Sequence, residues 1–230
     1  MDETQISLTA PAAEFVGHLV QGSPEGGDWR SRSIAPSDIG AVMDRSPFQT
    51  REDLLKRKAA GGSRPPLRNP PVQGLGWDKQ PDLAEGFTDA HPEYEAVTTG
   101  YWRNRDREWQ RCWPHRALIP TDHDAAQGPA TINATLSFRT TPRPLDEKGW
   151  GPGGSTVPAH IYDETQWLFD TLGTEHAYVI AYSKHGDETR TYRIARDDEH
   201  IATLRAASEA FLRELTAVLA EPSSPNGRRP

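Results

Sequence analysis

Paired carboxylates, and arginines beside serine or aromatic residues, are the side chains of this chain best equipped for chemistry. Asp122-His123-Asp124 and Asp146-Glu147-Lys148 each set two acids within one triplet. Charged oxygens at that density suit a hard divalent cation such as magnesium, and they are equally the ordinary content of surface turns. His115 offers a softer, neutral nitrogen and Ser137 a neutral hydroxyl, both poorer partners for such an ion. Arg139, two residues beyond Ser137, stays protonated, so it suits gripping a phosphate rather than acting as a base. Arg30 lies seven residues before Ser37. An arginine fork beside the first amides of a helix suits a phosphate, while Ser37 also reads as a plain N-cap. Trp102, Trp109 and Trp113 have faces on which bases could stack, or they fill a core.

These residues need a frame to hold them. The 230 residues allow one good-sized domain, and 20 prolines with 19 glycines give much of the length to turns. A single cysteine, Cys112, excludes an internal disulfide and a cysteine-rich zinc site, and reads as a buried thiol. The start of the chain is acidic and lacks a long apolar run, so the expectation is a soluble, cytoplasmic protein with no membrane partner. Net charge is -7, but it is uneven. Arg30 to Arg68 holds nine basic residues (Arg30, Arg32, Arg45, Arg51, Lys56, Arg57, Lys58, Arg64, Arg68) against four acids, and Tyr101 to Arg116 holds five arginines against two. A local basic patch, rather than the total, decides nucleic-acid binding, although such a stretch is also a normal solvated face.

Residues 1–28 read as a flexible arm with a short helix near Ala12–Val20, and 221–230 as a disordered tail. Ser37 and Thr50 are placed to cap helices running to Met43 and over Arg51–Ala60. Gly61–Gly74 reads as a loop and Leu75–Ala90 as a helix. Strands are expected over Tyr94–Trp102, Trp109–Ile119 and Ala130–Thr140, then a helix from Pro158 to about Leu172. The apolar run Ala177–Tyr182 predicts a strand buried on both faces, turned by His185-Gly186-Asp187 into Thr189–Ile194. Asp197 caps a closing helix with a stripe of Ile201, Leu204, Phe211, Leu215 and Val218.

Three segments carry a resemblance. They are Ser37-Asp38-Ile39-Gly40-Ala41-Val42-Met43 with Ser46-Pro47-Phe48-Gln49-Thr50, then Val157-Pro158-Ala159-His160 through Gln166-Trp167, and last His176 to Leu215. In this order they resemble the YqaJ-type viral recombinase family, relatives of phage lambda exonuclease among the PD-(D/E)XK nucleases, over Trp29 to Leu215. The resemblance implies an α/β (α+β) fold, a central mixed β-sheet flanked by helices. It also implies two magnesium or manganese ions held by carboxylates, with a lysine placing the attacking water. Carried over by position, the helix acid falls on Asp78, the P-D pair on Pro114-His115, and E-x-K on Ser137-Phe138-Arg139. The family's glutamine falls on Glu164. The alternative register for E-x-K, Asn133-Ala134-Thr135, is also non-acidic.

Asp78, with His115 beside it, would be what remains for a metal. Arg30 and Ser37 fall where the family meets a 5′ phosphate, and Arg32 and Arg45 are further candidates for DNA. Without metal activation, water stays near its bulk pKa of about 15.7 instead of about 7. The resulting expectation is a phage or prophage protein with a retired active site that binds duplex DNA ends or serves as an accessory subunit. It would need no cofactor, and would work as a trimer-like ring or with an active nuclease or annealing protein. One alternative is an active, metal-dependent exonuclease with relocated carboxylates. Another is a module that binds a protein partner and no DNA.

Overall fold

The computed structural model describes residues 7–18, 30–61, 70–124, 126 and 128–220. Its first elements are β1 (Leu8–Thr9), β2 (Ala13–Gly17), α1 (Pro36–Val42), α2 (Arg51–Ala59) and α3 (Pro70–Ala90). Strands β3 (Tyr94–Val97), β4 (Tyr101–Asn104), β5 (Arg111–Cys112), β6 (Arg116–Pro120), β7 (Ala130–Thr131) and β8 (Ala134–Thr141) follow. Helix α4 (Ala159–Leu172), strands β9 (His176–Ser183) and β10 (Glu188–Ala195), and helix α5 (Asp198–Ala220) complete the described residues.

The apolar run expected to be buried on both faces is β9, at the heart of a five-stranded mixed sheet ordered β10-β9-β8-β6-β3. β8 runs parallel to β9, with Ser137 opposite Val179 and Arg139 opposite Ala181. The other pairings in this sheet are antiparallel. A parallel neighbour requires a crossover, and α4 supplies it. Ile161 and Phe169 of α4 pack with Val179, Ala181, Tyr192 and Ile194, while Trp167 packs with α1, α2 and α5 residues. Leu168 and Leu172 reach Trp102 and Cys112 of a smaller sheet, β2-β4-β5. One helix therefore belongs to three apolar clusters. It stops at Gly173, whose φ of 82° and N–H to the Phe169 carbonyl (2.7 Å) form a left-handed cap. A Cβ there would meet Ala12 at 2.9 Å, so glycine is required twice over. α3 covers the opposite face of β8, its Leu83, Ala84 and Phe87 packing on Leu136 and Phe138.

The mixed sheet flanked by helices is as expected, as are the β9–β10 hairpin and the Thr50 cap, where Asp53 N–H donates to Thr50 Oγ1. Several elements differ. The described part of the N-terminal arm, residues 7–18, is built into sheets: β1 pairs with β7 and β2 with β4, replacing the short helix. The other arm residues and the tail 221–230 lie outside the described residues. α3 begins at Pro70, inside the stretch read as a loop. Ser37 is the second residue of α1, not its cap; Ala35 occupies the cap, and its N–H donates to the Asp38 side chain (3.2 Å). Val218 is exposed, off the buried stripe. Cys112 is buried, and burial pushes its thiol pKa well up, which suits an inert thiol.

Candidate functional site

β8 carries the positions on which the E-x-K comparison turns, and its alternation fixes where they point. Leu136 and Phe138 face α3. Ser137 is buried, and Arg139 reaches the other way, to α4, where its guanidinium pairs with Glu164. The structure thus brings together two of the singled-out residues as cation and anion.

His115 reaches β8 from the position just before β6. Backbone pairing of β6 with β8 covers Arg116–Leu118 against Leu136–Ala134, so Phe138 lies beyond the ladder. Its N–H donates instead to His115 Nδ1 at 3.0 Å, and the imidazole stacks at 6.0 Å on the Phe138 ring. A side chain thereby takes the place of a strand carbonyl. An imidazole accepting at Nδ1 is neutral and carries its proton on Nε2. The electrostatics agree: burial first, then Arg139 and Arg116, bring His115 down to about 3.

That geometry predicts a pH dependence. Between 6.5 and about 3 the unfolded chain takes up a proton that folded His115 refuses. The stability tied to it is complete above 6.5 and declines as pH falls through this window, by up to about 1.4 kcal/mol per pH unit. His115→Gln keeps an acceptor for the Phe138 amide without titrating. Its urea midpoint should therefore fall less than wild type from pH 7 to 4.5, by an amount equivalent to roughly 2–3 kcal/mol. Identical losses would rule out the buried neutral imidazole as the cause.

A two-metal centre does not fit this donor set. Asp78 is exposed on α3, the helix that covers the side of β8 away from Arg139. Both His115 nitrogens are committed, one to an accepted hydrogen bond and one to its own proton. Glu164 faces a guanidinium, and Ser137 offers only a hydroxyl. Among the described residues no three His, Cys, Asp or Glu side chains gather in a way that could hold a metal ion. The acid triplets are occupied elsewhere: Asp124 accepts from Ala126 N–H (2.9 Å), and Asp146 pairs with Arg190 of β10 (2.7 Å).

The basic candidates divide between the two ends of α1. Arg30, Arg32 and Ser37 lie at its start, where buried Lys58 donates to the Arg30 carbonyl at 2.8 Å. Arg45 lies past its end and reaches Asp163 on α4 at 3.0 Å. Asp163, which sequence reasoning did not single out, is wholly buried and also accepts from His200 Nε2 at 2.7 Å. His160 stands nearby, its pKa lowered by burial and then by Arg139, with Asp163 opposing. A signal for His160 and Asp163 was available, because polar residues at these positions interrupt the apolar pattern of the helix at i, i+3 spacing. Of the tryptophans, Trp102 is buried, Trp109 packs on Trp167 at 5.9 Å, and Trp113 is about half exposed.

No protein-family model matches the sequence, and comparison with curated proteins finds no match. Among the described residues no helix is long and apolar enough to cross a membrane. Solved structures are similar. An alkaline exonuclease (LHK-Exo) from Laribacter hongkongensis is 14% identical with a TM-score of 0.62, covering 83% of this chain and 93% of that one. The same exonuclease in complex with dAMP gives 0.64, again at 14% identity, covering 86% and 94%. A phage-related exonuclease from Haemophilus somnus 129PT is 8% identical with a TM-score of 0.52, covering 82% and 96%. At such identities the likeness is one of fold, and the chain shares the fold of these exonucleases over most of its length.

Proposed function

We propose that this chain is a phage-type recombination protein that binds duplex DNA ends on a nuclease fold without cutting them by two-metal chemistry. The observation that carries the reading is the state of the β8 site. Arg139 is paired with Glu164, and His115 serves the Phe138 amide, where the resemblance would set a lysine and a metal-binding aspartate. Among the described residues no carboxylate cluster is placed to hold the metal that would lower a water's pKa from its bulk value of about 15.7. Arg45, held next to this site by Asp163 with its side chain 43% exposed, keeps the chemistry for phosphates, and the similarity to exonuclease folds supports DNA as the polymer. Such a chain would act as an end-binding or accessory subunit.

The test is a nuclease assay on 5′-phosphorylated duplex DNA with magnesium or manganese, beside a binding titration across salt concentrations. The expected result is no cleavage, with binding that weakens steeply as salt rises. Metal-dependent cutting lost in Asp78→Ala would overturn the non-cleaving half of the proposal. Absence of binding at low salt would overturn the DNA half.

A further inference from the structure

One turn of α4 gathers three side chains from distant parts of the chain. His160, Asp163 and Glu164 stand at i, i+3, i+4, which places them on one face of the helix. The His160 ring meets the Phe48 ring nearly edge-on, with centroids 5.9 Å apart and planes at 85°. Asp163 takes Arg45, and Glu164 takes Arg139. The α4 residues that meet Phe48, Arg45 and Arg139 therefore lie within about one helical turn, ~5.4 Å along the axis.

The three are held in place rather than loosely displayed. Arg45 N–H donates to the Gly40 carbonyl (2.7 Å), and Phe48 N–H to Ser46 Oγ (3.2 Å). The Thr50 capping box closes the same loop. A Cβ on Gly40 would come within 3.2 Å of His160 Cβ, so α1 and α4 approach closely beneath it. Buried Asp163 fixes Arg45 from below while leaving the arginine side chain 43% exposed. Phe48 is 77% exposed, more than any other large apolar residue among those described. A fixed loop that holds a phenyl ring out in water beside two guanidiniums has the makings of a ligand site.

The ligand chemistry follows from the groups. A phenyl face offers stacking to any nucleobase, and a guanidinium with donors to spare offers a phosphate charge-assisted hydrogen bonds. In a duplex interior both faces of each base are already stacked, so Phe48 can reach only a base that is unpaired or at an end. We propose that Phe48, Arg45 and Arg139 form a subsite for one unpaired nucleotide at a DNA end, with the base on Phe48 and the adjoining phosphate on the arginines. This rests on the DNA-end reading and deepens it, because the preferred substrate becomes an end with unpaired nucleotides. Asp163 is the positioning residue for Arg45.

The experiment is anisotropy titration of the full chain with two 5′-phosphorylated duplexes, one blunt and one carrying a short unpaired overhang. Wild type should bind the overhang about tenfold more tightly than the blunt end, and Phe48→Ala should erase that preference. Phe48→Trp should retain the preference, and the melting temperature of Phe48→Ala should match wild type because the ring is exposed. If wild type binds blunt duplex but Phe48→Ala holds the overhang as tightly as wild type does, the subsite is wrong and end binding stands. If wild type binds neither duplex at low salt, the DNA-end reading fails and this inference fails with it.

Discussion

Replacing Asp38 by alanine should destabilise the fold by about 3–5 kcal/mol, read from urea unfolding, because it strands a buried ammonium. Lys58 has no exposed side-chain surface, and its three donors go to the Arg30 carbonyl, the Ser33 carbonyl and Asp38 Oδ2 at 2.9 Å. Arg57 meets the other Asp38 oxygen at 2.8 Å. Burial raises the Asp38 pKa, but Lys58 and Arg57 outweigh it and hold the carboxyl near 2. Its contribution is therefore complete above the unfolded value near 3.8 and is lost as pH falls toward 2. Changing Lys58→Met in the Asp38→Ala background should recover part of the loss, since the damage comes from the uncompensated charge rather than from a missing attraction. The exposed Lys56–Glu52 pair, at 70% and 75% side-chain exposure, makes the control. Removing it should change stability little, because water already solvates both ends. Lys58 also fixes the segment that carries Arg30 and Arg32, so Asp38→Ala should loosen that segment too.

Local pattern was enough wherever an element's own period decided it. The β9–β10 hairpin, α2 with its Thr50 cap and the apolar stripe of α5 are legible for that reason. The long strands around residues 94–119 were not, because their partners change partway along. β3 pairs with β6 in the large sheet, while β4 pairs with β2 and β5 in the small one. The switch falls at Gly100, where a Cβ would lie 2.4 Å from the Gly17 carbonyl. Pro114 similarly separates β5 from β6, and its missing N–H is the one local clue to that break. Ser37 misled because it resembles a cap, whereas the work falls to Asp38 three residues past Ala35. The pairing inside the candidate site was not legible. Sequence can place Arg139 and Glu164 on neighbouring elements, yet only the packing of α4 on β8 shows that they pair.

The same helix supplies the second large effect. Asp170, with a side chain only 1% exposed, accepts from Arg205 Nε at 2.8 Å, Gln110 Nε2 at 2.8 Å and Arg107 at 3.2 Å. These donors come from α5 and from the turn joining β4 to β5, so one carboxylate ties α4 to both the closing helix and the small sheet. Asp170→Ala would take the shared acceptor from two guanidiniums and leave the fully buried Gln110 amide with only Thr171 Oγ1, at 3.3 Å. The expected cost is again about 3–5 kcal/mol. Asp170→Asn should fall between, since its one carbonyl oxygen can serve only part of the set and its amide opposes the donors. The bulk of Asp170 is not what matters, so Asp170→Leu should rescue little. Should Asp170→Ala unfold within about 1 kcal/mol of wild type, in the range of an exposed pair, the carboxylate would not be what joins the layers. The apolar contacts of Trp167, Leu168 and Phe169 would then hold α4 unaided, and the face bearing His160, Asp163 and Glu164 would keep its aim without this network.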